Sequence, residues 1–160
     1  MKRRYAVPFV MLVACLWVGV AAAAILNYEA TIDGLQETPP VATPASGSAT
    51  VTIDTDANTL SYNITYSGLI GTETAAHIHG FAAPGTPAGV LHGLPASNPK
   101  VGVWNYLEAQ EADILAELTY INIHTSFKSG GEIRGQIVEM PVPVEPTTWG
   151  KIKNLYETAE

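Results

Sequence analysis

Three histidines lie in two segments whose residue pattern predicts β-strands. His77 and His79 flank Ile78, and side chains two apart in a strand share a face, so the two imidazoles should project together. In Tyr120–Thr125, the same alternation places two isoleucines on one face and His124 on the other. If the strands are neighbours and the isoleucines fill a core, the three imidazoles meet on the outer face of the sheet. Imidazole nitrogens suit copper or zinc at about 2 Å, so this arrangement would form a three-nitrogen metal site.

The same histidines have a structural interpretation. In this alternative, His77 and His124 hydrogen-bond to the backbone of the loop over residues 80–99 and hold that loop against the sheet. The amide of Asn122, two residues before His124, contributes to the same contacts. The residue pattern leaves the metal site and the hydrogen-bonded arrangement both open.

Arg134 belongs to the same outward-facing set, because Glu132, Arg134 and Gln136 alternate with apolar residues. It either guides anions toward a bound metal or forms a salt bridge with Glu37 or Glu132 that ties a proline-rich loop to the sheet. Bidentate pairing of arginine with a carboxylate is a common way to fix a loop. The salt bridge is the preferred interpretation.

The elements that must position these residues are mostly strands. Apolar residues recur at every second position, as in antiparallel strands with one solvated face, over residues 28–32, 49–53, 60–66, 119–125 and 132–138. Proline-rich loops are predicted over 34–47 and 80–99, the second with a short strand at 90–94, and one helix is predicted over 108–118. Seven or eight short strands indicate an all-β fold, a Greek-key antiparallel sandwich or small barrel of the superoxide-dismutase-like or immunoglobulin-like type.

The two ends of the chain differ from the predicted domain over residues 27–139. Residues 1–24 have a basic start, an apolar run and four alanines, the pattern of a secretory signal peptide. A retained membrane anchor and a lipoprotein carrying lipid on Cys15 are the alternatives. At the other end, residues 140–160 form a proline-rich spacer and a short amphipathic segment, Trp149–Tyr156, which either folds back on the domain or docks on a partner.

Charge and composition exclude several functions. Removal of the signal peptide takes three of the eight basic residues and none of the fifteen acidic ones, so the net charge falls from −7 to −10. Such a chain lacks the cations that neutralise nucleic-acid phosphates. The mature chain has no cysteine and therefore no disulfide. Neither a serine or cysteine nucleophile motif nor a nucleotide-binding loop is present, so enzymatic activity is not expected.

Four motifs resemble the CHRD family, the repeated domain of chordin-type proteins, which also occurs alone in bacterial exported proteins. They occur in order along the chain at Gly34–Val41, Ala76–Gly80, Tyr120–Thr125 and Gly131–Gln136. The resemblance implies an extracellular β-domain without a settled activity. It also implies a binding or structural role, because in chordin the domain accompanies modules that bind growth factors.

A weaker resemblance is to copper–zinc superoxide dismutases, which hold copper with a His-x-His strand, a loop histidine and a late-strand histidine. His77, His79, His92 and His124 occur in that order, followed by Arg134. The resemblance implies His92 as a fourth ligand. The zinc ligands and the disulfide of that family have no counterpart here, which leaves His77, His79 and His124 as the best-supported trio.

Two functional hypotheses follow. The first is an exported, secreted or periplasmic module without catalytic activity that binds an extracellular protein or matrix component. The second is a copper-binding redox protein in which His77, His79 and His124 hold the metal and Arg134 lies near its open position. Contact with a membrane is expected only if Cys15 is lipidated or the signal segment is retained.

Overall fold

The computed structural model describes residues 24–141, which form nine strands and one helix. They are β1 (Ile25–Asp33), β2 (Ser46–Asp54), β3 (Thr59–Ser67), β4 (Glu73–His79), β5 (Val90–Gly93), β6 (Lys100–Asn105), α1 (Glu108–Leu115), β7 (Tyr120–Thr125), β8 (Ile133–Gln136) and β9 (Val138–Glu139). Residues 1–23 of the predicted signal peptide, which include Cys15, and the Trp149–Tyr156 segment lie outside the described residues. Within residues 24–141, no helix is long and apolar enough to cross a membrane.

All the strands belong to one antiparallel sheet. Its order is β5-β4-β7-β8-β1-β2-β3-β6, and β9 pairs with β1. Neighbours such as β4 and β7, or β3 and β6, are far apart along the chain, as in Greek-key connections. The sheet curls until it is nearly closed into a barrel. The prediction of an all-β Greek-key fold with one short helix is therefore confirmed.

Strict alternation builds the core of this barrel. Val51 and Ile53 on β2 lie opposite Tyr62 and Leu60 on β3, and all four side chains are buried. The polar residues between them face outward. Burying each such aliphatic or aromatic side chain contributes about 1.5–3 kcal/mol, so the register is fixed by the apolar face.

The gap between the edge strands β5 and β6 is bridged by side chains. The His92 ring of β5 stacks on Trp104 of β6, with ring centroids 5.8 Å apart. The ammonium group of Lys100, fully buried on β6, lies 2.6 Å from a carboxylate oxygen of Glu73 on β4. Tyr66 on β3 donates a hydrogen bond to the other oxygen of that carboxylate. These contacts connect the two ends of the sheet.

The strand β6 has no counterpart in the sequence prediction, and its residues show why. Its valines, Val101 and Val103, face solvent with 62% and 50% of their surface exposed. Its inward face instead carries Lys100, Gly102 and Trp104, so a lysine takes a core position. The two valines would therefore predict that the solvent-exposed face of this strand is the buried one.

The helix α1 is shorter than the predicted span of 108–118. It ends at Leu115, because Ala116 is its C-cap and Glu117 adopts a positive φ of 61° that a helix cannot continue. Ile114 is its one fully buried side chain and packs into the barrel core.

Two loops cover the outer face of the β4-β7-β8 region. The first is the proline-rich loop after β1 and the second is the first half of the predicted 80–99 loop. The Thr38 hydroxyl of the first donates to the Gly85 carbonyl of the second over 3.1 Å. Beneath them Tyr120, Asn122 and Arg134 are almost fully buried. The outward-facing residues are therefore enclosed rather than solvated.

Candidate metal centre

The three predicted histidines come together on this covered face. In the β4–β7 ladder, His77 lies opposite Asn122, and His124 lies opposite Ala75, so His77 and His124 are diagonal neighbours. Ring centroids are 5.5 Å apart for His77 and His79, 5.1 Å for His77 and His124, and 5.6 Å for His79 and His124. One ring nitrogen from each histidine lies within 4.8 Å of the other two.

Backbone carbonyl groups set which nitrogen carries the hydrogen in two of these rings. The Nδ1 atom of His79 lies 2.9 Å from the Ala88 carbonyl oxygen, and Nδ1 of His124 lies 3.0 Å from that of Ser129. Because a carbonyl oxygen only accepts, Nδ1 of each ring must carry the hydrogen. In each neutral ring the lone pair is then on Nε2, and such carbonyl contacts are what usually orient metal-binding histidines.

One buried nitrogen on each ring of the trio is left without a partner. Nε2 of His79, Nε2 of His124 and Nδ1 of His77 are buried and make no hydrogen bond. They are three of the seven buried side-chain polar atoms without a partner in residues 24–141. Since native proteins pair nearly all such atoms, their concentration at one point calls for a ligand.

Burial keeps two of these rings neutral. It lowers the pKa of His77, and the neighbouring rings of His124 and His79 lower it further. Burial also lowers the pKa of His79, and its hydrogen bond to Ala88 offsets only part of this effect. Neutral imidazole is the form that binds metal ions, so both lone pairs are available at neutral pH.

The trio has the size of a three-ligand site. Two nitrogens bound to one ion at about 2.0–2.1 Å lie roughly 3.3–4.2 Å apart, so an ion would need to draw these nitrogens together by roughly an ångström. Three histidines leave at least one coordination position open to water or another ligand. His77 and His124 are half-buried, which gives that position access to solvent.

Metal binding and hydrogen bonding to the backbone are compatible roles for these histidines. His79, rather than His77, bonds to the 80–99 loop, and His124 bonds to the turn that follows its own strand. The Asn122 amide donates to Gly130 in the same turn over 3.5 Å, not to the 80–99 loop. Each of these two histidines uses one nitrogen for structure and keeps the other free.

His92 is not part of this group. It lies opposite Ile78 in the β4–β5 ladder and projects with it toward the barrel interior. There its Nε2 hydrogen-bonds with the Tyr62 hydroxyl over 3.3 Å and its ring stacks on Trp104. His77 and His79 point to one face of β4 and Ile78 points to the other. His92 is paired with Ile78 and therefore faces away from the two histidines.

The preferred interpretation of Arg134 was wrong. Among the described residues, the one ion pair within 4.0 Å joins Lys100 and Glu73, so Arg134 pairs with neither Glu37 nor Glu132. Its guanidinium lies 3.5 Å from the centre of the Tyr120 ring, and that ring stacks on His79 at 5.2 Å.

Strand order places Tyr120 between the arginine and the histidines. β7, which carries Tyr120, runs between β8 with Arg134 and β4 with His79. The guanidinium is therefore separated from the metal-binding nitrogens by an aromatic ring. This placement does not support a role for Arg134 in guiding anions to the metal.

Glu132 has a structural role that the sequence did not reveal. Its fully buried carboxylate accepts hydrogen bonds from the hydroxyls of Thr43 and Thr125 and from the backbone of Ile70 and Gly71. Burial acts to raise its pKa, but these bonds outweigh burial and hold the pKa below the ordinary value. Glu132 thus fixes three chain segments at the end of the sheet beside His124.

Comparison with known proteins is consistent with the motifs. The model of the family described as CHRD domain matches residues 28–137. Chordin of Xenopus laevis is 28% identical over 116 residues, which cover 70% of this chain and 12% of that protein. No solved structure gives a significant match. The matched span includes all three histidines and both covering loops.

Proposed function

This chain belongs to the CHRD domain family, and we propose that it is an exported, chordin-like module that binds one metal ion through His77, His79 and His124. Three rings that each offer a nitrogen within 4.8 Å of the other two, and that each carry one buried nitrogen without a hydrogen-bond partner, carry the proposal. Among divalent ions, copper should bind most tightly, because affinity at a nitrogen site rises along the first-row series to Cu²⁺. Zinc is the alternative ion.

Energetics support a bound ion over a purely structural trio. Each buried polar atom without a partner costs about 1–3 kcal/mol, and three such atoms meet at this point. A core of apolar residues would avoid that cost. Coordination would satisfy all three lone pairs at once, while the carbonyl contacts of His79 and His124 already hold their rings in place.

The proposed role is non-catalytic. Arg134, the residue that would guide an anion to a redox metal, stands behind Tyr120. We infer export from the basic, apolar and alanine-rich pattern of residues 1–24. A mass spectrum of the mature N-terminus tests export: cleavage after the alanines supports it, lipid on Cys15 makes the protein a lipoprotein, and an intact Met1 contradicts both.

A second candidate is a module that binds an extracellular protein or matrix component without a metal. The similarity to Chordin, over 70% of this chain, favours it. The two candidates differ in whether metal accompanies the purified protein.

The test is metal analysis of the full chain purified from the exported fraction, followed by calorimetric titration with Cu²⁺ and Zn²⁺. We expect one equivalent of metal per chain. His77→Ala and His124→Ala should each weaken binding by at least roughly 10–100-fold, the effect known for loss of mere outer-shell partners. His92→Ala is the matched control, because it removes an imidazole from the opposite face and should keep the stoichiometry.

Absence of stoichiometric copper or zinc uptake in the parent protein would contradict the proposal and favour the second candidate. Equal affinity in the parent and in folded His77→Ala and His124→Ala variants would do the same, with circular dichroism establishing folding. Electron paramagnetic resonance of the Cu²⁺ form should show coupling to nitrogen. Superoxide consumption by the copper form would overturn the non-catalytic role and support the redox hypothesis.

A further inference from the structure

A second candidate site lies between the two covering loops, beyond Tyr120 from the histidines. It is a cavity of about 370 Å³. Glu37 and Pro40 line it from the first loop, Pro84 from the second, and Arg134 from β8. The cavity combines apolar walls with one cation and one carboxyl group.

Arg134 is a buried cation without a carboxylate in direct contact. It is 2% exposed, and no carboxylate of the described chain lies within 4.0 Å of it. Its Nη2 donates to the Thr86 carbonyl over 3.1 Å and to Oε1 of Gln136 over 3.4 Å. Buried charges are normally paired with opposite charges, so the guanidinium has capacity for an anionic partner.

The guanidinium is also held in a fixed orientation. Tyr120 covers one face of its plane at 3.5 Å. The Gln136 amide nitrogen donates to the Glu117 carbonyl over 2.5 Å, which aims the amide oxygen at Arg134. A planar fork held in this way matches the two oxygens of a carboxylate, which it binds through parallel hydrogen bonds.

Glu37 supplies a second group in the same cavity, a carboxyl with one unpaired oxygen. Its side chain is 7% exposed, and its Oε1 is buried without a hydrogen-bond partner. Burial raises its pKa to about 7, although Arg134 and hydrogen bonds from Thr38 and Asn122 act in the other direction. Below that pH the neutral carboxyl can donate a hydrogen bond to an incoming anion, and above it the ionised carboxylate repels one.

We propose that this cavity binds a small organic carboxylate, with its two oxygens on Arg134 and its hydrocarbon part against Pro40 and Pro84. A monoanion with a short apolar group fits the prolines and the single cation. A phosphate dianion would place a second negative charge beside Glu37. The proposal is independent of metal binding by the histidines.

The test is a titration of the metal-free, isotope-labelled protein with propionate, followed by nuclear magnetic resonance at pH 8. We expect saturable shifts of the Arg134 side chain and of both loops, with a dissociation constant on the order of 1 mM. Glu37→Gln removes the neighbouring negative charge and should tighten binding by roughly three- to tenfold. Arg134→Gln should abolish binding, and Lys128→Gln, at an exposed cation outside the cavity, should change nothing.

Several results would contradict carboxylate binding in this cavity. Shifts that do not saturate, or that persist unchanged in a folded Arg134→Gln variant, would overturn the proposal. Inorganic phosphate binding as tightly as propionate would also overturn it, in favour of a general oxyanion site. If Arg134→Gln does not fold, Glu37→Gln decides, because weaker or unchanged propionate binding in that variant contradicts the proposed geometry.

Discussion

One carboxyl group, Glu37, should make the metal-free protein less stable as the pH rises toward neutrality. Burial raises its pKa from the ordinary 4.5 to about 7. In the unfolded chain the group ionises near 4.5. Between these two values the folded Glu37 binds more protons than it does in the unfolded chain, so its contribution to the free energy of unfolding falls with increasing pH.

The magnitude follows from the two pKa values. A difference of about 2.5 corresponds to about 3.4 kcal/mol once the group is ionised in both states, and to about 2.5 kcal/mol between pH 5 and pH 8. His77 and His79, whose pKa values are lowered by burial, act oppositely. They are protonated more readily in the unfolded chain, so their contribution to stability grows as the pH rises. The Glu37 contribution must therefore be isolated by comparison with a variant.

The assay is urea denaturation at pH 5, 6, 7 and 8 in the presence of a chelator, for the parent and for Glu37→Gln. Glutamine cannot ionise, so the variant should gain about 2.5 kcal/mol relative to the parent between pH 5 and pH 8. Glu29→Gln, at an exposed position on β1, controls for the loss of a formal charge. The reasoning is refuted if parent and Glu37→Gln respond to pH in parallel.

Three further predictions concern stability. Gly131→Ala should cost about 2 kcal/mol or more in urea denaturation, because Gly131 has a φ of +132° and an added Cβ would clash with the side chains of Asn122 and Glu37. Gly130→Ala, where an added Cβ meets nothing within 4 Å, should cost much less, and equal costs would contradict the argument. Lys100→Met should cost about 3–5 kcal/mol in the same assay, because it leaves the Glu73 carboxylate without its cation. Adding Glu73→Gln should recover part of that loss, and no recovery would count against the ion pair. Glu132→Gln should cost roughly 2–4 kcal/mol at neutral pH, because the carboxylate accepts four hydrogen bonds. Its pKa is held below 4.5, so this contribution is lost as the pH falls below that value, and thermal unfolding should show parent and variant converging in acid.

Local alternation was sufficient to predict which residues share a face. Ile78 points to the face opposite His77 and His79, and the two isoleucines of β7 point to the face opposite His124. These orientations could be predicted because side chains alternate between the faces of a strand from one residue to the next. Whether β4 and β7 are neighbours was left open by alternation alone, and the structure pairs them with Ile78 opposite Ile121. The same reasoning correctly placed the core residues of β2 and β3.

Features that depend on distant segments could not be predicted in this way. The pairing of His92 with Ile78 is decided by the β4–β5 register, which lies across a loop of ten residues (80–89). The burial of Arg134 depends on where two proline-rich loops come to rest. Lys100 occupies a core position only because Glu73 from another strand is there to neutralise it.

The pairing of β9 with β1 has a mechanical consequence. Tyr28 lies opposite Glu139, and the Met140 amide donates to the Asn27 carbonyl over 2.9 Å. Because the two strands run antiparallel, the polypeptide enters and leaves the barrel at the same pole. Tension on both flanks would therefore peel β9 from β1 one hydrogen bond at a time instead of shearing several bonds together. Under tension, β9 would separate from β1 before the strands that carry the histidines separate from each other.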